Sequence, residues 1–455
     1  MKARRLGLEN TRYGDLFVAN RMQKATHIYF VGIGGISMAG LAHMALSQGK
    51  CVSGCDRETS EATVALKEAG ATLYPDGTPL PPACDMVVYT LAIEDGHPAI
   101  QEAKRRGIFL CGRADFLAGL MAPYPQRVVV AGAHGKSTTV GMLSHLLIQG
   151  GLSPTVSGGA PLSLGGQAWQ LGTKDLFLCE GCEYKGSFLS LSPTLGVVTN
   201  LELDHPDCYP TLSHMKEAFA DFFRRCDTLI LGGDSEHLMD IAPKGAITYG
   251  FSQRCQMRGI LIGRTMQVWE GENLLGTLTL KLTGAYNYLN ALGALCAGRH
   301  LGLTFTQMRD ALSSFSGIGR RMEYKGQVKG ARVYLDYAHH PTEIREAVNA
   351  MKGHGGRVFV IYQPHTYTRT YLLWKDFVSA LRLPHQTVLV DIYPARETPL
   401  EGVTSYALAK EAGVPYASSF EEAVHKVLLA LQRGDTLLIM GAGDVPKAIT
   451  FLPLE

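Results

Sequence analysis

Apolar and polar positions along this chain change over in blocks. Short runs of β-branched, aromatic and aliphatic residues recur at 27–31, 51–54, 85–90, 109–110, 127–131, 176–180, 195–200, 332–335, 358–362, 388–390 and 437–440. Each suits a buried strand, and most end in glycine or in a polar cluster. Longer stretches with helical spacing lie between them, as at 37–48, 139–148 and 285 onward, and after Glu343. Buried strands alternating with helices predict parallel sheets covered on both faces. Residues 251–282 break that rhythm and read as consecutive strands and turns. Ala122-Pro123-Tyr124-Pro125 and Gly317-Ile318-Gly319 read as breaks between units. The expected organisation is a polar, poorly ordered extension at 1–24, then α/β domains at 25–122, 123–321 and 322–455.

Composition agrees with this division. A length of 455 residues corresponds to about three domains. A hydrophobic content of 46% supports sizeable cores, and 51 glycines suit many strand-to-helix turns. Lys plus Arg total 43 against 41 Asp plus Glu, a net charge of +2, which argues against a nucleic-acid or anionic-membrane partner. Ten cysteines without a small-domain spacing read as reduced thiols in a cytoplasmic protein. No apolar run reaches the roughly 18 residues of a membrane span, and the N-terminus lacks the apolar core of a secretory signal. Cys179-x-x-Cys182 has no second cysteine pair to complete a zinc site, so packed thiols are expected there.

Chemistry concentrates first at 127–139. An apolar strand runs into Gly132-Ala133-His134-Gly135-Lys136-Ser137-Thr138, and a helix follows. Backbone N–H groups at such a turn face an anion with little side-chain bulk in the way. This is a shortened phosphate loop, because Val130 stands where the longer pattern has its first glycine. Lys136 is placed to lie against the β and γ phosphates of ATP, and the Ser137 or Thr138 hydroxyl to reach Mg²⁺. Mg²⁺ takes oxygen ligands, and Glu180 and His205, just past two strand ends, are the further candidates. Asp204 could orient His205 from behind.

A second glycine turn, Gly32-Ile33-Gly34-Gly35-Ile36-Ser37, follows the first strand, with Asp56 at the end of the next. It is similar to a dinucleotide fingerprint, with Ser37 where the third glycine would stand. Gly34, Gly35, Ile36 and Asp56 are the candidate substrate contacts there. Asn287 and Asn290 share one helix face and offer amides to a base or a cap. In the last third, Asp336, Tyr337, His339, Arg369 and their neighbours follow strand ends, where ligands bind in open α/β sheets. Arg369 suits a carboxylate or phosphate through its planar fork. His339 and His340 before Pro341 suit either helix capping or chemistry, and Arg320 and Arg321 either a charged linker or a phosphate or ribose contact.

Nine motifs in order carry a family resemblance: GIGGISMAG at 32–40, AGAHGKSTT at 131–139, TNLELDH at 199–205, GAYNYLNA at 284–291, GRRME at 319–323, DYAHHPTE at 336–343, QPHTYTRT at 363–370, DIYPARE at 391–397 and GAGD at 441–444. The chain resembles the Mur ligase family over almost its whole length, and two of these motifs look most like its alanine-adding member. The resemblance implies a Rossmann-like UDP-substrate domain, a central P-loop ATPase-type domain with a parallel sheet, and a C-terminal Rossmann-like domain. It implies ATP and Mg²⁺, with UDP-N-acetylmuramate and L-alanine joined through an acyl phosphate. By resemblance Gly132, His134, Gly135, Lys136, Ser137, Thr138, Asn290, Arg321 and Asp336 hold the nucleotide, and Ser137, Glu180 and His205 the metal. Tyr337, His339 and Arg369 surround the amino acid and the acyl group, and Lys136, His339 and Arg369 are the expected catalytic residues, His339 as base.

Some positions depart from the family pattern. Gly181-Cys182-Glu183-Tyr184-Lys185 replaces the usual Ala-Asp-Glu-Ser-Asp, Tyr286 replaces a histidine, and Thr366 replaces an arginine. A sister ligase that attaches a cell-wall tripeptide to the same sugar is the alternative. Read from single motifs, an NAD-dependent oxidoreductase built on Gly32-x-Gly34 and a non-catalytic nucleotide-binding regulator also stay open. A monomer or weak homodimer is expected.

Overall fold

Strand and helix alternate through most of the chain, as the block pattern predicts. In this computed structural model residues 11–163, 166–353, 355–395 and 397–455 are described. Residues 1–10 of the expected extension and Arg396 of DIYPARE lie outside them. The extension is not simply loose: Thr11–Lys24 is a helix, with Val18 and Met22 buried. It packs on the helix Arg113–Met121 so closely that a Cβ at Gly119 would stand 2.6 Å from Met22 Sδ. Its polar average hid a narrow apolar stripe.

Three sheets follow. The first comprises β1 (His27–Val31), β2 (Cys51–Asp56), β3 (Thr72–Pro75), β4 (Met86–Tyr89) and β5 (Phe109–Gly112). All are parallel, in the order β3-β2-β1-β4-β5 of a doubly wound sheet. β1 is buried along its whole length, which is why it reads as unbroken apolar sequence.

The central sheet has ten strands: β6 (Gln126–Ala131), β7 (Thr155–Ser157), β8 (Trp169–Gln170), β9 (Leu176–Glu180), β10 (Leu195–Val198), β11 (Thr228–Gly232), β12 (Ile247–Gly250), β13 (Met257–Ile262), β14 (Thr265–Glu270) and β15 (Asn273–Thr279). Its order is β15-β14-β13-β12-β11-β10-β6-β9-β7-β8. β6 lies between β9 and β10, parallel to both, so the phosphate loop leaves the middle of the sheet between two other strand ends. The expected strand-and-turn region forms the antiparallel β13–β15 meander at one edge.

The last sheet contains β16 (Glu323–Val328), β17 (Ala331–Asp336), β18 (Val358–Tyr362), β19 (Gln386–Leu389) and β20 (Thr436–Met440). Its order is β16-β17-β20-β18-β19, parallel except for β16. Among the described residues no helix is long and apolar enough to cross a membrane.

Candidate active site

The phosphate loop spans the gap between β6 and the helix Lys136–Gln149, which starts three residues earlier than its apolar spacing suggests. The glycines are required by contact as well as by φ. A Cβ at Gly132 (φ +131°) would fall 2.1 Å from Thr199 Oγ1, and one at Gly135 (φ +80°) 2.3 Å from Asn290 Oδ1. Gly135 caps the helix without a side-chain hydrogen bond, so the first-turn N–H groups stay available to an anion.

Lys136 folds back into its own loop. Its Nζ donates to the carbonyls of Gly132 (2.5 Å) and Ala133 (3.0 Å) and to Glu183 Oε1 (3.1 Å). Glu183 is fully buried and also meets His205 Nε2 at 3.2 Å. Burial alone would raise its pKa, but Lys136 and His205 outweigh that and hold it below the usual carboxylate range. Ser137 Oγ donates to Glu180 Oε2 at 2.7 Å, and Gly159 N–H to the same oxygen at 3.1 Å. Lys136 and His205 thus meet through Glu183, while Ser137, next to Lys136 in the chain, pairs with Glu180. Glu183 attracted no role in the sequence. The available signal was its place three residues after Glu180.

A cavity of about 290 Å³ opens beside the loop, between the central and third domains. His134, Gly135, Thr138 and Asn290 line one side, with Tyr286 and Asn287; Arg321, Asp336, Thr342 and Glu343 line the other. Asn287 Nδ2 donates to the Thr283 carbonyl at 2.7 Å, so that amide is partly committed to the turn that precedes its helix, Ala285–His300. Asp336 accepts the N–H groups of Met322 (2.7 Å) and Ala338 (2.8 Å). Its burial still raises its pKa to about 6.

Tyr337, His339 and Arg369 lie close together in the third domain. The Tyr337 ring is covered by Arg320 and Arg321, at 4.8 and 5.1 Å from its centroid. His339 Nδ1 lies 3.0 Å from the Tyr337 carbonyl, which can only accept, so the proton sits on Nδ1 and Nε2 carries the lone pair. Burial lowers the His339 pKa to about 4. His340 is the N-cap of the helix Pro341–Lys352.

Arg369 departs from the free anion binder that the sequence suggests. Its Nε and Nη2 reach Asp204 Oδ1 at 3.0 and 2.8 Å, and Nη1 stands 3.2 Å from His365 Nδ1. Asp204 is thus mainly a partner for Arg369; its Oδ2 is 3.6 Å from His205 Nε2. Four non-glycine residues with positive φ, His205, Arg320, Met322 and Thr366, belong to these clusters. Such backbone strain gathers where side chains must be aimed.

Three family models cover the chain in the order of its sheets: the Mur ligase family catalytic domain at residues 27–125, the Mur ligase middle domain at 130–298, and the Mur ligase glutamate ligase domain at 320–443. A UDP-N-acetylmuramate–L-alanine ligase of Clostridium perfringens is 39% identical over 441 residues, covering 92% of this chain and 96% of the relative. The chain belongs to the Mur ligase family. Among solved structures, the UDP-N-acetylmuramate–alanine ligase of Thermotoga maritima shares the fold at a TM-score of 0.78 and 24% identity, covering 93% of this chain and 98% of that one. A murein peptide ligase of Psychrobacter arcticus matches at a TM-score of 0.73 and 25% identity, covering 94% and 98%.

In this Mur ligase the glycine turn of the first domain has polar partners of its own. Gly34 N–H donates to Asp56 Oδ2 at 2.8 Å, and the helix Ile36–Ser47 starts at Gly35 with no side-chain cap and with Ile36 exposed. Arg113 Nη1 donates to Ser37 Oγ at 3.1 Å, bringing to this turn a cation from a distant helix that the sequence did not point to. All ten cysteines are free. Burial pushes Cys179 and Cys182 up to about 12 and 11, which fits packed thiols.

Proposed function

We infer that this Mur ligase joins L-alanine to the lactyl carboxylate of UDP-N-acetylmuramate, consuming ATP. The observation that carries this is one cleft in which the loop bearing Lys136 and Ser137 faces Arg321 and Asp336 of the third domain across the cavity. The full-length relative named for alanine addition supports the choice of amino acid. In the first step a carboxylate oxygen attacks the γ-phosphorus of ATP and ADP leaves. In the second the alanine nitrogen attacks the acyl carbon, inorganic phosphate leaves and an amide remains.

Like charges are the main obstacle, since carboxylate and triphosphate are both anions, and positioned cations lower it. Burial would lower the Lys136 pKa, but Glu183 and its neighbours raise it, so the ammonium persists at neutral pH. Lys136 is the proposed phosphate contact, with Gly132, Gly135 and the first-turn N–H groups. Asn290 is proposed to face the base, and Arg321 and Asp336 the nucleotide from the third domain. Gly34, Gly35, Ile36 and Asp56 are assigned to the UDP-sugar, and Tyr337 and Arg369 to the acyl and amino-acid end.

The Ser137 hydroxyl and Glu180 carboxylate are hard oxygen donors already in contact, and they fit Mg²⁺; His205 stands on the far side of Glu183, 3.2 Å from its Oε1. When bound, the ion would neutralise phosphate charge. His339 offers an unprotonated Nε2 for the alanine proton. Its low pKa makes it a weak base in the structure as it stands, and a bound anionic acyl phosphate nearby would raise it.

Phosphate release from ATP and Mg²⁺ with UDP-N-acetylmuramate tests the assignment, adding in turn no amine, L-alanine, glycine, L-serine and the cell-wall tripeptide. Release that requires both sugar and L-alanine, with a new amide, is expected. Release with the tripeptide alone would move the chain to the sister activity.

A further inference from the structure

His134 belongs to the phosphate loop by its backbone and to the domain junction by its side chain. Its N–H donates to Asn200 Oδ1 at 2.9 Å and its carbonyl accepts from Asn200 Nδ2 at 3.1 Å, which ties the loop to the end of β10. Its ring is largely buried between two carboxylates. Nε2 is 3.3 Å from Glu202 Oε2 of the central domain, and Nδ1 is 3.4 Å from Glu343 Oε1 of the third. Carboxylates accept only, so both nitrogens donate and the ring is an imidazolium. Burial would lower its pKa, but the two carboxylates outweigh that and push it up to about 10.

Each carboxylate has a further partner across or beside the junction. Glu202 Oε2 accepts from Thr342 Oγ1 of the third domain at 3.0 Å. Glu343 Oε1 is 3.3 Å from Arg321 Nη1, and its Oε2 accepts the N–H groups of His339 and His340 at the start of its helix. His134, Glu202 and His340 also lie close enough to hold a cation. The imidazolium itself supplies the positive charge there, and neither of its nitrogens has a lone pair to give.

We propose that His134 is a positioning residue that couples filling of the phosphate loop to closure of the third domain, with Glu343 as its partner on the closing side. The proposal rests on the nucleotide assignment above and deepens it. A loop held in place by polyphosphate keeps the ring within reach of Glu343. A loop that shifts when empty withdraws the ring and leaves that buried carboxylate undercompensated, which favours opening. By linkage, closure then strengthens nucleotide binding by the same factor.

Three single variants and one double variant of the full chain test this. Glutamine at 134 keeps an N–H near the place of Nε2, toward Glu202, whereas asparagine keeps one near Nδ1, toward Glu343. Glu343→Gln removes the charge but keeps the acceptor that a capping box needs, so the helix start survives. The readouts are binding of AMP-PNP with Mg²⁺ by calorimetry, the radius of gyration by small-angle scattering, and the KM for ATP against kcat.

His134→Gln and Glu343→Gln are each expected to weaken AMP-PNP and raise the KM for ATP roughly tenfold, with a larger radius in the nucleotide-bound state. His134→Asn should keep most of the affinity, and the double variant His134→Gln/Glu343→Gln should be no weaker than the weaker single. Additive losses in the double variant, or unchanged radii and affinities in the singles, would overturn the coupling. Binding and scattering need no ligation, so they report on it even if the release assay fails, which would remove the ligase assignment alone.

Discussion

The two junctions of this molecule are built differently. Between the first and central domains one apolar core runs through: Phe30 and Phe116 from one side belong to the same buried cluster as Phe177, Phe188 and Phe219 from the other. Trp169 extends it, stacked on His43 at 4.5 Å and lying against Gly40. Between the central and third domains the described residues share no such cluster, and the third domain keeps its own cores. Apart from small apolar contacts such as Gly284 against Ala350, the named contacts that cross there are polar: His134 to Glu343, Thr342 to Glu202 and Arg369 to Asp204. An apolar core is lost only by exposing large surface to water, so the first junction holds the glycine turn after β1 and the loop after β6 in fixed relation. Charged contacts can be exchanged for water or for an anionic ligand, so the second junction is the one suited to opening.

The largest expected effect lies under the polar junction. Lys136→Ala should lower alanine-dependent kcat by about 10³-fold or more, and near-normal turnover would remove the phosphate loop from the chemistry. Next comes the apolar junction, where Phe116 is fully buried and meets Phe30 edge-on at 5.4 Å. Phe116→Ala should cost about 3–5 kcal/mol. Calorimetry is expected to show this as a lowered melt common to the first two domains, with the third domain's melt in place. Separate melting of those two domains would break the contrast.

Arg369→Ala strips the buried partner from Asp204, whose carboxyl is held well below the usual range by Arg369 against the cost of burial. Roughly a 100-fold loss in kcat/KM for L-alanine is expected, with a smaller change in ATP binding. Unaltered alanine kinetics would count against that assignment.

The smallest effect is at Asp15, on the N-terminal helix. Burial raises its pKa from 3.8 to about 6 against the lowering effect of nearby Ser192, Arg225 and Arg127. Between those values the folded chain keeps a proton that the unfolded chain has released, so stability falls as pH rises through the window. Asp15→Asn should therefore gain about 1–2 kcal/mol at pH 7 and nothing at pH 3.5, read from urea midpoints. An equal gain at both values would exclude ionisation as the cause.

Much of the fold was legible because its signals are local. Unbroken apolar runs marked β1, β6, β9 and β18, and the glycines of both turns marked where strands hand over to helices. The Thr11–Lys24 helix was missed because its buried residues are few and its average is polar, while its stability comes from packing on Arg113–Met121. In the site, Ser137 and Glu180 could be paired from strand-end logic, since β6 and β9 are neighbours. Glu183 could not, because it lies three residues past the end of β9, where strand order no longer fixes the path of the chain or the direction of the side chain.

The sequence by itself determined the order of elements, three sheets of mainly parallel strands, a phosphate loop with its lysine and hydroxyl, and the family. Those follow from hydrophobic period, turn chemistry and motif order, which act over a few residues at a time. Only the tertiary structure decided which charges neutralise which: Arg369 with Asp204, 165 positions earlier, and His134 with carboxylates from two domains. Buried charges must find partners in space, and no local rule says which distant side chain will arrive there.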